Sequence, residues 1–217
     1  MKGCEAMKRE IPLNTFERSV FLLQPGRPIL CTTLGEDGSN HVAPFAWINP
    51  VSFKPPMVGL SLLSAPKKQQ SLENIERTGE FVVNLPDLAL AEKLVLTSYE
   101  TLQNENKFER SGFTALPAKK VRPVAIEECR AHLECKVTSI SYPGDHALIL
   151  ANVLAAYHDD GAFSDNQIIN LKNFQPMLHL QHFSSDPADP WNLCPGQVHV
   201  FVEPGSAYVA DVPYPRM

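Results

Sequence analysis

The chain has no apolar run near the roughly 20 residues that a membrane helix needs, so no membrane span is expected. Its first residues, MKGCEAMKREIPL, carry neither an apolar core nor a small-residue cleavage site, and no signal peptide is expected. Cysteine is scarce. There are five in 217 residues, an odd number, and none forms a C-x-x-C pair. That speaks against a disulfide framework and for free thiols in a cytoplasmic protein. Positive charge is short too: 19 Lys and Arg against 24 Asp and Glu, a formal net charge of −5. Apart from Lys67-Lys68 and Lys119-Lys120 the basic residues are scattered, which excludes the electrostatic footprint of a DNA- or RNA-binding protein. Missing as well are G-x-G-x-x-G, G-x-x-x-x-G-K-[ST], G-x-S-x-G and H-E-x-x-H. Rossmann dehydrogenases, P-loop nucleotidases, α/β-hydrolases and zincins are therefore disfavoured.

What remains is a chain that is 44% hydrophobic, long enough for one domain with a substantial core. The apolar segments are short and β-branched. Arg27 to Leu34 reads as a strand ending at the turn Gly35-Glu36-Asp37-Gly38, and Asn40 to Ile48 pairs with it, Pro44 marking a bulge or a ladder edge. Met57 to Leu63 is a third strand. Ser71 to Gly79 reads as a helix with Leu72 and Ile75 inward and Gly79 as its stop. Glu80 to Leu85, Ala131 to Ile140 and His146 to Tyr157 are further strands, the last two joined by Pro143-Gly144-Asp145, and Met177 to Gln181 is a shorter candidate. Leu88 to Leu96 has helical spacing; Thr97 to Arg122 is polar and irregular, and Pro50 to Pro56 reads as a loop. Short strands with tight turns and few helices predict a mainly β fold, a barrel or sandwich with short peripheral helices, over residues 1–185. A Pro-rich extension, 186–217, either wraps over a partner subunit or is loosely held.

Several places invite chemistry, each with a plainer reading beside it. In the turn Ser64-Ala65-Pro66-Lys67-Lys68 with Ser71, hydroxyls and ammonium groups precede a helix start, where amide N–H groups and the helix dipole favour an anion such as a phosphate ester. The same pattern suits a solvated lysine pair and an ordinary cap. Ala46-Trp47-Ile48 ends a strand and could present backbone amides and an aromatic wall to a planar ring, or Trp47 could be core. His146, beside a tight turn, could face a cleft as a proton donor or lie on the surface. Asn84, polar in a β-branched run, either reaches a ligand or satisfies a backbone group. His179-x-x-His182 would share a helix face, but no Cys or acidic partner stands at ligand spacing, and no metal is expected.

Four blocks in order resemble the flavin reductase-like family with the FMN-binding split β-barrel, its flavoredoxin-like branch above all. They are PFAWINPVSFKPPMVGLSL, SLENIERTGEFVVNLP, IEECRAHLECKV followed by PGDHALILANVLAAY, and NFQPMLHL. The resemblance spans residues 27 to 180. It implies a Greek-key split barrel, a homodimer with FMN near the subunit interface, and hydride transfer from NAD(P)H to flavin. An FMN electron carrier without nicotinamide activity and a flavin-free binding module stand as alternatives. It further implies that Ala46, Trp47 and Ile48 face the flavin ring and that Ser61 and Ser64 line its ribityl chain. Lys67, Lys68 and Ser71 would surround the phosphate with Asn84 close by, and His146 of the G-D-H motif would lie near the flavin face as the catalytic candidate. The chain departs from the family at Trp47, where many reductases have a small polar residue, and at Ala151-Asn152, where glycine and glutamate are common.

Overall fold

The structure, a computed structural model, describes residues 8–98, 106–180 and 197–199. A 3-10 segment, Leu13–Leu23, leads in. Seven strands then form one antiparallel sheet: β1 (Ile29–Leu34), β2 (Asn40–Phe45), β3 (Ile48–Phe53), β4 (Pro56–Leu63), β5 (Glu80–Leu85), β8 (Ala131–Ser141) and β9 (His146–His158). Helix α1 (Gln70–Thr78) joins β4 to β5, and α2 (Ala91–Ser98), α3 (Lys107–Arg110) and the ribbon β6 (Ala115–Leu116) with β7 (Ala125–Ile126) lie between β5 and β8. A short pair, β10 (Leu178–Leu180) with β11 (Gln197–His199), closes the described chain. No helix among the described residues is long and apolar enough to cross a membrane.

The strand order is β2-β1-β5-β8-β9-β4-β3. Strands β2 and β3 stand at opposite edges, yet only Ala46 and Trp47 separate them in the chain. Two residues span at most about 7 Å, so the sheet must curl until its edges meet. The curl encloses a core of Ile29, Cys31, Leu60, Leu62, Phe81 and Ile149, plugged by Leu72 and Ile75 of α1. Each such fully buried side chain contributes about 1.5–3 kcal/mol. Alternation sends Leu30 of β1 the other way, into a second cluster with Leu94, Phe108, Ile126 and Met177 under α2 and α3. Gly79 ends α1 in the left-handed region (φ 68°), its N–H bonded to the Ile75 carbonyl at 2.8 Å.

One expectation changes and two gain detail. Pro50 to Pro56, read as a loop, is mostly β3, turning at Lys54-Pro55 into β4. Its prolines are tolerated because β3 is an edge strand; Pro44 likewise sits on the edge strand β2. Helical spacing in Leu88–Leu96 becomes a 3-10 turn, Leu88–Leu90, followed by α2. His179 belongs to a strand, as expected for Met177 to Gln181, bonded to Gly26 through both backbone groups at 2.8 and 3.0 Å. His182 and most of the 186–217 extension lie outside the described residues.

Buried His41 on β2 gives the fold a pH dependence. Desolvation, with Lys107 second, pushes its imidazole down to about 4 from the ordinary 6.5. The unfolded chain takes up this proton as pH falls through 6.5; the folded chain refuses it until about 4. Stability from this group is therefore complete above pH 6.5 and is lost progressively toward pH 4, by about 3 kcal/mol. Urea unfolding from pH 7 to 4 is expected to show that slope, and His41→Leu to flatten it.

Candidate functional site at the Trp47 and His146 end of the sheet

Strand pairing gathers one group of residues at a single end of the curled sheet. Leu63 of β4 pairs with His146 of β9, and Ser61 with Leu148. Leu60, Leu62, Ala147 and Ile149 turn into the core, so Ser61, Leu63, His146 and Leu148 share the outer face. The Ser61 N–H donates to the Trp47 carbonyl at 2.9 Å, which draws the β2–β3 corner onto the same end. There the half-exposed Trp47 stacks on His146, ring centroids 4.7 Å apart and planes 24° from parallel. His146 Nδ1 lies 2.7 Å from Asp145 Oδ1. With that N–H given to the carboxylate, Nε2 is the acceptor of the neutral ring.

The turn after β4 is tied to the same corner. The Asp145 carbonyl accepts the Ser64 N–H at 2.8 Å, the Ser64 hydroxyl at 2.9 Å and the Ala65 N–H at 3.1 Å. Helix α1 follows directly. Its N-cap residue, Gln69, makes no side-chain cap; its Oε1 accepts the Leu63 N–H at 2.9 Å instead. The first turn thus keeps N–H groups without a side-chain cap, where an anion is favoured. Ser71, in that turn, is buried and its hydroxyl has no hydrogen-bond partner. A buried hydroxyl without a partner is uncommon and marks a place where an acceptor fits. Uncapped amides, an unpaired hydroxyl and two lysines ahead of them suit a phosphate, so the residues present fit the group the resemblance implies.

Not every expected residue takes part. Asn84 does not: it is fully buried, and its amide donates to the Leu30 carbonyl (3.1 Å) and Thr32 Oγ1 (3.2 Å) while its oxygen accepts the Ile126 N–H (2.9 Å). It pairs with Leu30 on β1 and His132 on β8; Pro44, the other partner of Leu30, is three residues before Trp47, so Asn84 lies within about 22 Å of the Trp47 backbone but faces away from the site. Alternation fixed the outcome, Val83 facing the barrel interior and Asn84 the second cluster. Ile48 is 7% exposed with its side chain in the core, so only its backbone can meet a ring there. Ala46 is half-buried beside Gly26, where an added Cβ would come within 3.1 Å of the Ala46 Cβ. Lys67 is exposed on the turn. Lys68 is turned to Glu76, 2.8 Å away, and Glu76 also accepts the Tyr142 hydroxyl at 2.5 Å. Those two bonds hold the Glu76 carboxyl below the usual carboxylate range.

Sequence reasoning missed Gln69, Glu76 and Tyr142, and gave Asp145 of the G-D-H turn no role of its own. Asp145 carried a signal, its place next to His146. Glu76 and Tyr142 carried none, since 66 residues separate them and only the β8–β9 turn brings Tyr142 over α1.

Comparison with known proteins agrees with this architecture. The flavin reductase like domain matches residues 24–183. An uncharacterised protein of Aquifex aeolicus is 28% identical over 179 residues, covering 81% of this chain and 91% of its own. The crystal structure of nitrilotriacetate monooxygenase component B from Bacillus cereus superposes with a TM-score of 0.73 at 19% identity, over 81% of this chain and 93% of that one. The flavoredoxin of Desulfovibrio vulgaris (Miyazaki F) gives 0.69 at 18% identity, over 94% and 99%. The fold is that of the split-barrel flavin reductases, and the chain belongs to the flavin reductase-like family.

Proposed function

We propose that this protein binds FMN at the Trp47–His146 end of the sheet and passes a hydride from NAD(P)H to the flavin. The observation that carries the reading is the uncapped start of α1, with the unpaired Ser71 hydroxyl, set directly after the turn bonded to Asp145. The Ser64–Ser71 turn would hold the phosphate. Ser61 and Ser64 would meet the ribityl chain, and the Trp47–His146 stack would flank the ring. Bound flavin supplies a hydride acceptor at N5; the chain's part is to hold two planar rings in contact. Asp145 fixes the His146 ring, and no protein acid or base is required for a hydride to move.

The test is a visible spectrum after adding FMN and desalting, followed by NADH or NADPH. Retained flavin that bleaches with either nucleotide is expected. Retention without bleaching points to the electron carrier, and no binding on titration removes the reading.

The outer face suggests a second copy of the chain as partner. Val51, Phe53, Leu148 and Leu154 are 51%, 93%, 37% and 42% exposed on β3 and β9. An apolar surface of this kind on neighbouring strands suits a copy of the same chain. A dimer is expected by analytical ultracentrifugation, shifted to monomer in Phe53→Ser/Leu154→Ser; a monomeric wild type overturns this part.

A further inference from the structure

At the opposite end of β9, eleven residues along the strand from His146, a separate hollow of about 300 Å³ opens between the β6–β7 ribbon and the β8–β9 pair. Its floor is a tilted pair, His132 and Tyr157, which lie opposite each other across the two strands with ring centroids 4.9 Å apart and planes 30° from parallel. Lys119 Nζ lies 4.7 Å from the centre of the Tyr157 ring. Leu116, Pro117 and Ile126 supply apolar wall.

The charges of the wall are unevenly committed. Glu134 is fully buried, and its carboxylate accepts the Lys119 N–H at 2.9 Å and the Lys120 N–H at 2.5 Å, with His132 Nε2 3.9 Å away. Arg130 is shared between Asp87 (3.4 Å) and Asp159 (3.3 Å). Glu127 is exposed at the rim. Of the two permanently charged basic side chains of the wall, Arg130 is paired and Lys119 has no carboxylate within 4 Å among the described residues; its ammonium lies over an aromatic ring. Glu134 clamps the Lys119 backbone to the sheet, and the exposed Lys119 side chain reaches over Tyr157. Burial lowers the His132 imidazole below its ordinary value, Glu134 opposing the shift and Lys119 adding to it.

We propose that this hollow is a binding site for a small single-ring aromatic carboxylate, its ring against the Tyr157–His132 shelf and its carboxylate on Lys119. The volume stands at the lower end of small-molecule sites, which suits one ring. The shelf selects a planar body, and the unpaired ammonium selects an anion. Nothing in this site depends on flavin.

The test titrates benzoate, benzamide and acetate into the full chain, followed through the ring signals of Tyr157 and His132 by NMR. Saturable benzoate binding is expected, about tenfold or more tighter than benzamide and than acetate. Lys119→Met keeps the backbone N–H that Glu134 holds and is expected to weaken benzoate by about tenfold. Tyr157→Leu, which removes the shelf, is the second variant and is expected to weaken it similarly. Excess FMN is expected to leave benzoate binding unchanged. No saturation, benzamide equal to benzoate, indifference to both variants, or displacement by FMN would each overturn the proposal.

Discussion

Asn84→Ala is expected to lower stability by about 3 kcal/mol while leaving the FMN affinity of the folded protein unchanged. The side chain is fully buried and satisfies groups on three separate pieces of chain: Leu30 and Thr32 on β1, Val82 on its own strand, and Ile126 on β7. Alanine leaves the Ile126 N–H without its acceptor and opens space beside Ile126 and Leu30 in the second cluster. A buried donor stripped of its partner costs about 1–3 kcal/mol, and the lost amide contacts add to it. For a chain of this length that is a fall in Tm of roughly 6–12 °C. Asn84→Asp is nearly isosteric yet destabilising too, because it replaces the donor with a charge where only acceptors face it. The paired readout separates two roles: a stable Asn84→Ala with weakened FMN binding would return Asn84 to the ligand site, against its buried bonds to Leu30, Thr32 and Ile126.

The same residue shows where the sequence was legible and where it was not. That EFVVNL is a strand follows from its β-branched run, and Gly79 before it marked the helix end; both stand as read. Whether Asn84 meets a ligand or a backbone group depends on what lies across β5, and that partner, Ile126, is 42 residues away. Local pattern fixes period and turns. It does not fix which strand is a neighbour. The β3 strand was hidden for a different reason: its Pro50 and the Lys54-Pro55-Pro56 turn look like breakers unless one knows that β3 is an edge. The 3-10 segment Leu13–Leu23 went unread because its apolar residues, Leu13, Phe16, Leu22 and Leu23, follow no buried face; all are exposed. Of the candidate site, Trp47, Ser64 and His146 were legible as strand ends and turns, Ser61 only through the resemblance, and pairing then brought them together. Lys119, His132, Glu134 and Tyr157 were not, since each is ordinary in its own segment and the hollow exists only where β6, β8 and β9 meet.

Reversing the lysine pair, Lys67→Glu/Lys68→Glu, is expected to weaken FMN binding by about 30-fold or more at physiological salt, with little change in riboflavin binding. The phosphate carries a charge of about −1.5 to −2, and the double change moves the turn by four charges against it. Both lysines are exposed, so water and salt screen them. The effect should shrink as ionic strength rises, which a merely misfolded turn would not show. Glu76 sharpens the test. Its carboxylate holds Lys68 at 2.8 Å and competes with any phosphate for that ammonium. Glu76→Gln removes the competitor and leaves an exposed ion pair of little worth to the fold broken. FMN should then bind a few-fold tighter, with riboflavin again unmoved, and the Tyr142 hydroxyl should keep a neutral acceptor in place of the charged one. Opposite shifts in the two variants, confined to the phosphorylated ligand, require a phosphate beside Lys68. Equal losses for FMN and riboflavin would place the flavin elsewhere and detach the turn from it.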